Sequence, residues 1–151
     1  MGLNLTVNIP TYTNADSSFP QPVNNSYEYW IAVIEHFLTE SDTIEIQCWN
    51  EEAETINEIT SLLKGKYKWV KEDQITIFKL SNSLSLKNYL LKDCLSSNGE
   101  LKWFTLNLEK MGLPVLHSGH WGTELVIYNI SKEDIDFVKS VIPNEAILFE
   151  Y

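Results

Sequence analysis

Short segments with a two-residue period and longer segments with a helical period follow one another along the whole chain. This succession constrains the fold more than any other feature of the sequence. Leu3-Asn4-Leu5-Thr6-Val7-Asn8-Ile9 alternates apolar and polar residues strictly, as a half-buried strand does. Ile44, Ile46 and Cys48 alternate with Glu45, Gln47 and Trp49 and predict a second strand over 43–49. Tyr67 to Val70 and Ile75 to Leu80, separated by Lys71-Glu72-Asp73-Gln74, read as a hairpin. Further strands are expected over 101–108, 123–128 and 146–151, with a turn at Met111-Gly112-Leu113-Pro114 and, from Val115 to Gly122, a short apolar start followed by a glycine-bearing loop.

Four helices separate these strands. Trp30, Ile31, Ile34, Phe37 and Leu38 make one apolar stripe on a helix that starts near Ser26. Asn50 is the expected cap of a second helix, with Glu51 and Glu52 in its first turn, where the helix dipole favours negative charge. Its buried face is Ala53, Ile56, Ile59, Leu62 and Leu63, and Gly65 is its expected stop. Leu86, Tyr89, Leu90, Leu91 and Leu95 place a third helix within 84–95. Ser131 caps the last, with Asp134 in the capping-box position and Pro143 after its end. Residues 10–26, with Pro10, Pro20 and Pro22, form a long irregular loop that Tyr12, Phe19 and Val23 can anchor.

The chain of 151 residues fits one domain. The predicted fold is an α+β single-domain sandwich, with a mixed or largely antiparallel sheet covered by three to four helices. The stretches 43–80 and 123–150 share one plan of strand, capped helix and strand, without sharing sequence.

Charge narrows the function. The first 63 residues hold ten acids, among them Asp16, and no lysine; the remainder holds eleven acids and eleven lysines, and the chain has no arginine. The net charge of −10 repels phosphates and no basic stripe exists, which argues against a nucleic-acid partner. No apolar run reaches membrane-spanning length, so no membrane partner is expected. Met1-Gly2-Leu3-Asn4 carries neither the basic nor the apolar region of a secretion signal. Cys48 and Cys94 read as buried hydrophobes rather than a disulfide framework. The expected compartment is the cytoplasm.

The strongest candidate surface is the acidic cluster Glu51, Glu52, Glu54 and Glu58, with Glu45 nearby. Glu54 and Glu58 are like charges one helical turn apart, which disfavours a helix unless something offsets them. Trp49 borders the cluster, and Tyr27, Tyr29 and Trp30 could join it as aromatic anchors. The bland alternative is a solvated helix face. The second candidate is His117-Ser118-Gly119-His120-Trp121-Gly122-Thr123-Glu124. His117, His120 and Glu124 supply zinc-type ligands, one short of a full set, and their spacing is generic. Phosphate-cradling glycine loops and nucleophile elbows are absent from the sequence, and no cofactor is expected.

These features predict a small acidic binding protein that inhibits or neutralises a basic protein partner. Immunity proteins and phage-encoded inhibitors of nucleases or defence proteins play such roles. One alternative is an enzyme with a site at the His117–Glu124 loop, with or without a metal. Another is an accessory or self-associating structural subunit.

Overall fold

The computed structural model describes residues 2–15, 17–63 and 68–151. Asp16, Gly65 and Tyr67 lie outside the described residues, and so does what the sequence predicts of them. In chain order the elements are β1 (Leu3–Asn8), β2 (Thr11–Tyr12), β3 (Gln21–Pro22), α1 (Glu28–Leu38), β4 (Thr43–Trp49), α2 (Ala53–Leu63), β5 (Lys68–Glu72), β6 (Ile75–Ser81), α3 (Leu84–Lys92), β7 (Thr105–Lys110), β8 (Leu113–Gly119), β9 (Glu124–Ile130), α4 (Lys132–Val141) and β10 (Ile147–Glu150). Eight strands form one sheet in the order β10-β1-β9-β8-β7-β4-β6-β5, and every neighbouring pair is antiparallel. Helices cover it on one side, so the α+β reading holds.

The register shows why one face is apolar. Leu5, Ile127, Leu116, Leu108, Ile44 and Leu80 stand in one row across six strands and all are buried. The next residue on each strand points the other way, giving the row Thr6, Val126, His117, Asn107, Glu45 and Lys79 on the open face. Trp30, Val33 and Ile34 of α1, Ile59 of α2, Leu86 and Leu90 of α3 and Val138 of α4 close the core over the first row.

The shared plan of 43–80 and 123–150 has a topological meaning. β4 and β5 are both antiparallel to β6, which lies between them, so β4-α2-β5 is a parallel unit split by a third strand. β9-α4-β10 is split in the same way by β1. The two units extend outward from the central β7–β8 hairpin, whose Met111–Gly112 turn has positive φ at both residues (52° and 78°), as the tightest hairpin turns require.

Several local expectations need correction. Val115 to Gly119 is strand rather than loop, because β8 begins at Leu113 and runs to Gly119; His117 is therefore a sheet residue. Residues 101–104 leave the strand predicted from 101, and β7 starts at Thr105. Asn50 does not cap α2 with its side chain. It reaches across to the β5–β6 turn, donating to the Asp73 carbonyl (3.1 Å) and accepting from the Thr76 hydroxyl (2.6 Å). On α2 only Ile59 is fully buried, and Leu62 is exposed. Ser131 does cap α4, accepting from the Asp134 amide at 3.1 Å. In the 10–26 segment Phe19 and Val23 are anchored and Tyr12 is exposed. No described helix is long and apolar enough to cross a membrane.

Candidate functional site

At one end of the four central strands the chain opens a cleft of about 350 Å³ between the start of α2, the loop before β7 and the β8–β9 turn. Its character is set by aromatic rings. Trp49, the last residue of β4, lies 4.9 Å from Phe104 between ring centres, and Phe104 lies 4.9 Å from Trp121. Phe19, from the long N-terminal loop, closes onto Trp121 at 4.9 Å. Glu51, Glu52 and Glu100 line the same cleft.

The turn that presents Trp121 is unusual in its backbone. His120 and Trp121 both have left-handed φ (48° and 54°), a conformation that costs free energy for non-glycine residues and persists only when its surroundings enforce it. Here they do. The Trp121 amide donates to the Phe104 carbonyl (3.1 Å), the Tyr29 hydroxyl donates to the Gly122 carbonyl (2.6 Å), and the Thr123 hydroxyl donates to the His120 carbonyl (2.8 Å). Gly122, at φ 84°, packs so closely that an added Cβ would lie 2.7 Å from Leu101 and 2.8 Å from the Trp30 ring.

Glu52 is the carboxylate fixed in this cleft. Its Oε1 accepts from the Trp49 amide at 2.8 Å. Burial raises its pKa above the ordinary glutamate value; hydrogen bonds from the Trp49 amide and the Trp121 side chain draw it partly back, and the charge of Glu51 adds to the rise. Lys102 also lines the cleft, but its charge is already engaged. It is only 7% exposed, its Nζ lies 2.9 Å from Glu58 and 3.7 Å from Asp93, and it stands over the Tyr89 ring.

The acidic cluster thus divides. Glu51 and Glu52 face the cleft, and exposed Glu54 stands beside it on the open groove that α2 makes with α3. Glu58 lines the same groove but is partly exposed and already engaged, accepting from both Lys102 (2.9 Å) and the Tyr89 hydroxyl (2.9 Å). The cation that relieves the Glu54–Glu58 repulsion therefore comes from the second half of the chain. Glu45 lies elsewhere, on the open face of the sheet, where Gln47 (3.0 Å) and Asn107 (2.8 Å) donate to its carboxylate. Tyr27, Tyr29 and Trp30 are core residues, at most 4% exposed, and cannot serve as surface anchors.

The histidines do not converge on one centre. Asn107 donates to Glu45, so its Oδ1 accepts from His117 Nδ1 at 2.7 Å, completing a Glu45–Asn107–His117 chain across β4, β7 and β8. Burial lowers the His117 pKa below the ordinary value of 6.5; Glu124 pulls it up and His120 pushes it down. His120 is largely exposed, with Nε2 3.5 Å from Glu124. Among the described residues no three His, Cys, Asp or Glu side chains are placed to hold a metal ion. Ser118 points to the core, where its hydroxyl accepts from the Trp30 indole at 2.9 Å.

Trp121, Phe104 and Glu100 do not stand out in the sequence as site residues. Trp121 is visible there only as part of a glycine-bearing loop, and nothing local marks the left-handed pair that turns it toward Trp49. No protein-family model, no curated protein and no solved structure matches the chain.

Proposed function

We propose that the protein is a binding protein that docks on a basic protein partner and neutralises it, through the face formed by Trp49, Trp121, Glu51, Glu52 and Glu54. One observation carries this reading: two tryptophans and three carboxylates meet at a single cleft whose one lining lysine among the described residues is already ion-paired. Large aromatic rings beside acids are what an interface needs for a desolvated anchor surrounded by a steering field. The net charge of −10 adds long-range attraction for a cationic surface. An inhibitor role follows as the use of such a face, because proteins that act on nucleic acid carry basic clefts. Glu45 and Glu58 stand outside the proposed face, their carboxylates being already engaged by side chains of the same chain.

The test is capture from the native host's lysate on immobilised protein, at low salt and at roughly 0.5 M salt, where screening shortens electrostatic reach to a few ångströms. The expected result is one basic protein recovered in stoichiometric amount and weakened by salt. The bait carrying Glu51→Lys and Glu54→Lys should lose it. Recovery that is indifferent to both salt and charge reversal would remove this reading.

A further inference from the structure

Resting on that docking surface, we infer that the Trp49–Trp121 cleft is a receptor for one arginine side chain of the partner, with the guanidinium stacked on indole and paired with Glu52. Four observations lead to this occupant.

The first is shape. The cleft is walled by the rings of Trp49, Trp121 and Phe19, which are tilted to one another, and the flat face of a single indole suits a planar group. The guanidinium is planar, weakly hydrated, and stacks on indole faces more readily than an ammonium does. The second is the carboxylate. Glu52 accepts from the Trp49 amide on Oε1 and also from the Trp121 side chain, which together fix its orientation; a carboxylate offers about four lone-pair sites, so acceptor capacity remains for guanidinium N–H donors.

The third is the missing countercharge. Glu51, Glu52 and Glu100 line the cleft with, among the described residues, only Lys102 to balance them, and Lys102 is committed to Glu58 and Asp93. No described ion pair involves Glu51, Glu52 or Glu100, and the chain has no arginine of its own to supply a guanidinium. Burial raises the pKa of Glu52 and the neighbouring Glu51 charge adds to the rise, so a cation arriving beside it would favour the ionised carboxylate. The fourth is rigidity. The turn bearing Trp121 is pinned by three hydrogen bonds and by the close packing of Gly122, so the position of Trp121 in the wall is set before the ligand arrives.

The source of the guanidinium is a side chain rather than free arginine. A free amino acid would bring its own carboxylate beside Glu51 and Glu100, whereas an arginine within a chain carries only the cation.

The probe is N-acetyl-L-arginine amide, titrated into the full-length protein while the tryptophan indole N–H resonances are followed by NMR. Saturable shifts are expected at Trp49 and Trp121, with N-acetyl-L-citrulline amide at least about tenfold weaker, because it keeps the shape and loses the charge. N-acetyl-L-lysine amide is expected to bind more weakly than the arginine amide, and free L-arginine more weakly than its blocked form. Glu52→Gln, which preserves size and the Trp49 amide contact, should weaken the arginine amide about tenfold or more. Equal shifts with the citrulline amide, undiminished binding by Glu52→Gln, or tighter binding of free arginine would overturn the assignment. If the arginine amide fails to bind while salt-sensitive capture of a basic partner persists, the arginine pocket is wrong and the docking surface stands. Arginine binding without any charge-sensitive capture would instead keep the pocket and remove the docking surface.

Discussion

Burial pushes Glu52 above the ordinary carboxylate range, so folding and ionisation of this group oppose each other. A raised carboxyl pKa means that the folded state binds the proton more tightly than the unfolded chain. Its contribution to stability is full below the unfolded value and is lost as pH rises through the folded one. Glu52→Gln is therefore expected to be more stable than the wild type at neutral pH, with the difference vanishing near pH ~3.5, where both side chains are neutral. Urea unfolding at the two pH values measures this, and a neutral-pH loss of stability would contradict it. His117 works in the opposite sense: its pKa is depressed by burial, so its contribution is present above 6.5 and is lost as pH falls through its lowered folded value. Glu58 gives a sharper contrast with Glu51 and Glu54. Removing it leaves the Lys102 ammonium, 7% exposed, with only Asp93 at 3.7 Å. Glu58→Ala is expected to cost about 2 kcal/mol, below the full penalty of an orphaned buried charge because Glu58 itself is partly exposed. Glu51→Ala and Glu54→Ala, at exposed positions, should change stability by less than about 0.5 kcal/mol. Equal losses at Glu51 and Glu58 in thermal unfolding would contradict the division of the cluster.

Elements form as the sequence predicts where local pattern and tertiary burial agree. β4 follows strict alternation because Ile44, Ile46 and Cys48 all face the core, and α4 begins just after Ser131 because the Ser131 hydroxyl accepts from the Asp134 amide. Ser131→Ala should cost about 1 kcal/mol in thermal unfolding, the usual loss of such a cap. Local pattern misleads where a long-range partner overrides it. Asn50 is a good cap by type, but the β5–β6 turn offers it two bonds at once. The segment 115–119 looks like a loop because it carries histidine, serine and glycine, yet Leu116 and Ser118 face the core and pairing with β7 and β9 makes it a strand. The candidate site is half legible in the sequence. Trp49, Glu51 and Glu52 are near neighbours along the chain and group at once. Trp121 and Phe19 join them only through the turn at 120–123 and the long loop, and no local periodicity encodes that approach. Gly122→Ala tests how firmly the turn is held. With φ at 84° and neighbours at 2.7 and 2.8 Å, an alanine should destabilise by more than about 1 kcal/mol and shift the Trp121 indole resonance. An unchanged spectrum would mean that the turn does not set the cleft.

The whole molecule is a one-sided sandwich of two split β-α-β units joined at the β7–β8 hairpin, and the acidic cleft opens at the end of its central strands. The charge asymmetry along the sequence is offset in space at one point: Lys102, from the second half, pairs with Glu58, and Glu51, Glu52 and Glu54 are left without a described ion-pair partner. A surface of this kind accelerates encounter with a cationic partner and then anchors it through its aromatic centre. The most direct measurement is stopped-flow association of the captured partner with wild-type protein and with the Glu51→Lys, Glu54→Lys variant, at low salt and at roughly 0.5 M salt. The variant should associate about tenfold or more slowly at low salt, and the two proteins should converge at high salt. Identical rates at low salt would contradict a docking role for this face.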